Sequence, residues 1–296
     1  MKKTMKQQCI ITAIPRSGGS MLARLFDGHP VVASYPFHAK FGDTHAVEAY
    51  KATEIFPNTL NGTLKSVMED HGRYKRFENF IYAKKDGMGE ILEYDQTYFE
   101  KQVNQTIPQD CSPAHFRELF SHAFFDSHNF YKGRWANIQN IIWYNTHLSY
   151  NIGDLIERDN IKLIMLFRHP FDSLSSIVKK WGDTQDFNNH VYGWRDQYLA
   201  ACYYRQKHPE MVKILRYEDL VQDPHAAMTD LAEFLNISFE DCLTKPSLYG
   251  NPWNAQSSFD NVKQAITTNA IGRFEGVLSQ NQLNYISSKL GRYMES

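Results

Sequence analysis

Residues 9–25 read CIITAIPRSGGSMLARL, and this stretch restricts the fold more than any other in the chain. Residues 9–14 form a short apolar run of the kind found in buried parallel strands, and residues 20–26 read as a helix opening. Between them Pro15-Arg16-Ser17-Gly18-Gly19-Ser20 turns through two glycines. A strand that turns tightly into a helix aims several backbone N–H groups at one point, and the helix dipole adds partial positive charge there. The turn is therefore an anion cradle, and Arg16 places beside it a fixed charge suited to phosphate or sulfate oxygens.

The rest of the chain repeats the alternation. Asp27-Gly28-His29-Pro30 stops the first helix, and residues 31–34 form a second strand that leads to Tyr35-Pro36-Phe37-His38. Residues 141–144 read as a buried strand ending in Asn145-Thr146-His147, with a short helix at 152–158. Residues 161–167 are the least ambiguous strand; Arg168-His169-Pro170 follows, then a helix over 171–181. A helix over 193–207 carries Trp194, Tyr198 and Cys202 on one face, most simply a core stripe. Residues 212–216 are a last strand, 224–235 an amphipathic helix, 245–268 loop-like, and 279–290 a final helix. This order predicts an α/β fold with a central parallel sheet flanked by helices.

The 296 residues are read as one domain, 1–296, with an insertion at about 44–131. That insertion reads as helices at 48–55, 64–77 and 112–126 with loops, and its place at the ligand edge of the sheet predicts that it covers the substrate. A formal net charge of −1 gives no global pull toward a nucleic-acid polymer or an acidic membrane, so any anion site must be local. The four cysteines match no zinc-ligand spacing, and no carboxylate cluster follows the loop, so no metal is expected. No window approaches the roughly 18 apolar residues that span a bilayer. With no apolar leader after the basic start, the expected location is cytoplasmic.

The loop lacks the Lys of the G-x-x-x-x-G-K-S/T pattern of nucleotide triphosphatases. A basic-Ser-Gly-Gly-Ser loop after a strand instead resembles the 5′-phosphosulfate loop of sulfotransferases that use PAPS, 3′-phosphoadenosine 5′-phosphosulfate. The run from Pro15 through Asp27-Gly28-His29-Pro30 resembles the opening of bacterial and tyrosylprotein-type members, although Pro36-Phe37-His38 stands where that group often carries Glu. The resemblance implies a P-loop NTPase-like three-layer sandwich. It assigns Arg16, Ser17, Gly18, Gly19, Ser20 and Met21 to the phosphosulfate. It also assigns Arg168, with Ser176 eight positions later, to the 3′-phosphate. Asn145-Thr146-His147-Leu148 resembles the family's Lys-Thr-His-Leu, which makes His147 the general base, with His38 as the competing candidate. Tyr217, in Tyr217-Glu218-Asp219, and the segment Ser257-Ser258-Phe259 are implied at the adenine. Thr267-Thr268-Asn269 replaces the family's Arg-Lys-Gly, and Arg273 is the candidate to restore the missing charge.

The function implied is transfer of the sulfuryl group from PAPS to an acceptor hydroxyl or amine, releasing adenosine 3′,5′-bisphosphate, with Arg16 and His147 as the catalytic pair. The acceptor is expected to be a small molecule or glycan, and its identity stays open among a saccharide, a lipid, a peptide tyrosine and a small metabolite. Two alternatives remain at this level: a P-loop kinase or NTPase-type phosphotransferase, and a non-catalytic nucleotide-binding homologue.

Overall fold

The computed structural model describes residues 5–38, 95–108, 112–145, 152–182, 187–253 and 266–294. Five parallel strands, β1 (Gln7–Ala13), β2 (Val32–His38), β3 (Asn140–Asn145), β4 (Lys162–Phe167) and β5 (Val212–Arg216), lie in the order β2-β3-β1-β4-β5. Strands β1 and β4 read as nearly unbroken apolar runs because both faces of the sheet are covered. The helices are α1 (Gly19–Leu25), α2 (Gln96–Thr106), α3 (Pro113–Asp126), α4 (Ile152–Glu157), α5 (Pro170–Trp181), α6 (Phe187–Lys207), α7 (Tyr217–Gln222), α8 (Pro224–Leu235) and α9 (Gln280–Leu290).

Alternating side chains assign the helices to faces. Ser34, whose Oγ donates to the Ala23 carbonyl at 2.9 Å, and Tyr144, against Gly19, face α1. Tyr35 and Trp143 point the other way, stacked with centroids 4.2 Å apart, and Phe124 and Phe125 of α3 close on Tyr35. On that same face Met165 and Phe167 pack with Leu174, Ile177, Trp194, Ile286 and Leu290 of α5, α6 and α9. Helix α8 meets β5 on the α1 side, where Lys213 reaches Asp230. The result is the expected α/β sandwich with helices on both faces. Among the described residues no helix is long and apolar enough to cross a membrane.

Three boundaries differ from the sequence reading. Strand β1 starts at Gln7 rather than Cys9, because Gln8 has distant partners: its Nε2 donates to the Ala114 carbonyl at 2.8 Å, and its Oε1 accepts from Arg117 Nε at 2.9 Å. Strand β2 continues past Pro36 to His38, with an irregular register between Ser34 and His38; it is an edge strand, where a missing N–H is tolerated. Helix α6 starts at Phe187, not Gly193, since Phe187, Val191, Trp194 and Ala201 form one buried stripe. The expected helices at 48–55 and 64–77 lie outside the described residues. The expected helix at 112–126 is α3, opened by Ser112 accepting the His115 N–H at 3.3 Å, and it packs on the sheet.

The stop Asp27-Gly28-His29-Pro30 is also a tertiary anchor. Asp27 accepts from Tyr131 Oη at 2.9 Å, Ser247 Oγ at 2.6 Å and the Gly250 N–H at 2.8 Å. Beside it His128, 1% exposed, bonds through Nδ1 to the Phe124 carbonyl at 2.7 Å and through Nε2 to Tyr249 Oη at 3.2 Å. A carbonyl only accepts, so Nδ1 carries the proton and Nε2 accepts. Burial lowers the pKa of His128 to about 4, outweighing the Phe124 bond. The unfolded chain therefore binds a proton between pH 6.5 and 4 that the folded chain refuses. Stability is full above pH 6.5 and falls by about 3 kcal/mol as pH drops to 4. His29 and His169, also lowered by burial, act in the same sense. Urea unfolding at pH 7.5, 5.5 and 4.5 should show this slope, and His128→Gln should flatten it; an equal slope in the variant would assign the effect elsewhere.

Candidate active site

Because the strands are parallel, everything that follows a strand end meets at one edge of the sheet. The loop after central β1 begins with a turn in which the Ser17 N–H donates to the Ile14 carbonyl at 3.1 Å. Pro15 occupies its second position and Arg16 its third, at φ 68°, the pattern of a type II turn. Gly18 follows at φ 88° as the N-cap of α1. A Cβ there would lie 2.7 Å from the Tyr217 ring, and one at Gly19 would lie 2.6 Å from both Ala13 Cβ and the Tyr144 ring. The two glycines thus let strand β3 and helix α7 close against the loop. The Leu22 N–H is the first in α1 to find a helical acceptor, Gly18 O at 3.1 Å. The N–H groups of Gly18, Gly19, Ser20 and Met21 make no hydrogen bond among the described residues. The Ser17 N–H, expected among these donors, is engaged in the turn instead.

Two guanidinium groups converge on this loop. Arg16 Nε donates to Ser176 Oγ at 3.1 Å. Arg168, 7% exposed, donates through Nη1 to the Arg16 carbonyl at 3.1 Å and through Nη2 to the Ala270 carbonyl, and its Cζ lies 4.9 Å above the Tyr217 ring. Both guanidinium pKa values are lowered: burial is the main cause for each, and Arg168 adds repulsion at Arg16. Asp172 and Glu218 oppose the shift at Arg168, while Arg273 reinforces it. Buried like charges held together are stabilised by an anion between them. Arg168 Nε and Ser17 Oγ are also buried without a hydrogen-bond partner among the described residues. Such an arrangement suits an anionic ligand.

The sulfotransferase family profile matches residues 9–241. The chain belongs to the sulfotransferase family. Its fold is shared by the sulfotransferase domain from the curacin biosynthetic pathway, with a TM-score of 0.55 at 18% identity over 97% of this chain and 99% of that one. The sulfotransferase domain from the Synechococcus PCC 7002 olefin synthase gives 0.52 at 16%, over 98% and 97%. No curated protein sequence matches the chain.

In this sulfotransferase the residues named from sequence fall into two groups. Arg16, Ser17, Gly18, Gly19, Ser20, Arg168, Ser176 and Tyr217 come together as described. Met21 is buried, so only its N–H faces the cradle. Arg273 stands on the segment pinned by Arg168 through Ala270. Thr267, in the place of the family's basic pair, caps a 3-10 turn over Thr268–Ala270 by accepting the Asn269 N–H at 3.2 Å. His147 and Ser257, Ser258 and Phe259 lie outside the described residues. The backbone of His38 pairs beside Tyr144, at the same edge.

Three residues of the site escaped the sequence reading of roles. Glu218 accepts the His169 N–H at 2.9 Å and so ties the end of β4 to α7. Tyr144 Oη accepts from Ser20 Oγ at 3.4 Å; burial raises its pKa, opposed by that bond and by Arg16 and Arg24. Asp172 binds the segment around Arg273 rather than capping its own helix. Beside the cluster a groove of about 820 Å³, lined by Arg168, His169, Trp194, Tyr198, Arg216 and Glu218 among others, runs along β5.

Proposed function

We propose that this sulfotransferase transfers the sulfuryl group of PAPS to a hydroxyl or amine of a small-molecule or glycan acceptor, releasing adenosine 3′,5′-bisphosphate. The observation that carries the reading is the Arg16–Ser176–Arg168 cluster beside a loop whose N–H groups from Gly18 to Met21 are unengaged among the described residues, with an aromatic ring, Tyr217, over Gly18. Two cationic centres, the orphan Ser17 hydroxyl and a ring fit a ligand that combines a phosphosulfate, a second phosphate and an adenine. Arg168 and Ser176 bind the 3′-phosphate, and Arg273 adds charge to it. Tyr217, with Phe259, Ser257 and Ser258, holds the adenine. The N–H groups from Gly18 to Met21 hold the phosphosulfate.

The acceptor oxygen or nitrogen attacks sulfur, and the bond from sulfur to the bridging oxygen of the 5′-phosphate breaks as the new bond forms. The acceptor proton passes to His147. Arg16 stabilises the charge that grows on the bridging oxygen. No Mg²⁺ takes part in this scheme.

Adenosine 3′,5′-bisphosphate should raise the thermal midpoint by several degrees without Mg²⁺, and ATP–Mg²⁺ should raise it less. Labelled PAPS should label an acceptor pool. No stabilisation by the bisphosphate, or a larger one by ATP–Mg²⁺, would overturn the reading. His147→Ala is expected to abolish turnover with bisphosphate affinity within about twofold of the parent. Activity that survives there and disappears in His38→Ala would make His38 the base.

A further inference from the structure

We infer that Asp172 is a positioning residue for Arg273: its carboxylate fixes the backbone on both sides of that arginine and so delivers the guanidinium to the 3′-phosphate subsite beside Arg168. The inference rests on the PAPS reading above and adds a residue to it. Asp172 is 2% exposed, in the first turn of α5. Its Oδ2 accepts the Gly272 N–H at 2.9 Å and its Oδ1 accepts the Phe274 N–H at 3.2 Å. Each oxygen takes one amide, and the residue between the two amides is Arg273. Gly272 is in the left-handed region, φ 75°, a conformation that glycine adopts without strain.

A carboxylate in the first turn of a helix ordinarily serves that helix's own N–H groups or its dipole. Here both oxygens serve a segment one hundred residues away in sequence. Two further contacts hold the segment. Arg168 Nη2 donates to the Ala270 carbonyl, and the rings of Phe171 and Phe274 lie 5.0 Å apart. The segment is thus gripped at residues 270, 272 and 274, and Arg273 projects from the gripped stretch with its Nε on the Asn269 carbonyl. Its charge is felt by both Arg168 and Tyr217. Asp172 binds the amides on either side of Arg273 and so orders the backbone that carries the guanidinium.

The test compares Asp172→Asn, Arg273→Ala and the double variant by calorimetry, with adenosine 3′,5′-bisphosphate and with 5′-AMP, which lacks the 3′-phosphate. The Asn amide group presents a donor to one of the two N–H groups, so the grip fails on one side. Arg273→Ala should weaken the bisphosphate roughly tenfold or more and Asp172→Asn by a similar factor. The double variant should be no weaker than Arg273→Ala, and 5′-AMP should stay within about twofold throughout. Gly272→Ala, which strains the same segment and leaves the Asp172 carboxylate in place, should reproduce the pattern and carries the test if Asp172→Asn does not fold. Losses that multiply in the double variant, or an equal loss for 5′-AMP, overturn the inference. So does an Arg273→Ala variant with unchanged bisphosphate affinity; in that case binding by the parent protein leaves the PAPS reading standing. A parent that binds no bisphosphate removes both.

Discussion

Arg16→Gly is expected to lower turnover by about 10²–10³-fold, the usual cost of removing one preorganised transition-state donor, while the thermal midpoint stays level or rises by up to about 3 °C. Arg16 sits at φ 68°, where a side chain costs about 1–2 kcal/mol and glycine costs nothing. The turn already has Pro15 before it, and a type II turn favours glycine at this third position. Glycine gives back roughly 0.5–1 kcal/mol through the freedom of the unfolded chain, and the bond to Ser176 Oγ is lost. Against these losses the variant removes a half-buried cation that repels Arg168. The terms nearly cancel, so stability hardly moves while the charge at the reacting end of the donor disappears. A fall in midpoint beyond about 4 °C would mean that Arg16 holds the loop together and that lost activity reports a collapsed site.

The sheet was legible because its central strands are buried on both faces and mostly apolar, as at residues 161–167, where Lys162 is the one polar residue. Parallel order then made the convergence of Arg16, Arg168 and Tyr217 a matter of topology, since each follows a strand end. What stayed hidden depends on partners far away in sequence. Gln7 and Gln8 look like a polar approach to a strand, and only distant partners, α3 for Gln8 and the Asn160 carbonyl for Gln7, show why they lie within it. Asp172 has the local appearance of a helix cap, and Glu218 of a residue in a first turn; neither has a local sign of the amide it binds. The second strand reads as ending at Ser34 and the sixth helix as starting at Gly193, and each bound is overridden by context, an edge strand in one case and a buried stripe in the other. The assignments of His147 and of residues 257–259 rest on the family resemblance.

Arg168→Met should raise the dissociation constant of adenosine 3′,5′-bisphosphate by about 100-fold or more, a loss of roughly 3 kcal/mol, and leave that of 5′-AMP within about threefold. A buried guanidinium that meets a phosphate makes charge-assisted bonds, each worth about 1.5–3 kcal/mol, and its planar fork can make two. Methionine is chosen because its thioether still contacts the Tyr217 ring, now 4.9 Å from the guanidinium carbon, and keeps the adenine platform seated. The variant leaves the Arg16 and Ala270 carbonyls without their donor, which costs stability, while relieving the repulsion among Arg16, Arg168 and Arg273. The 5′-AMP arm separates that structural effect from phosphate recognition, because a disordered loop would weaken both ligands. Arg168→Lys keeps the charge but not the fork, and should fall between, about tenfold weaker than the parent. A lysine variant with full affinity would reduce the role of Arg168 to a point charge. Equal losses for both nucleotides in the methionine variant would make it a clamp between the loop and the 270–274 segment, with the 3′-phosphate held elsewhere.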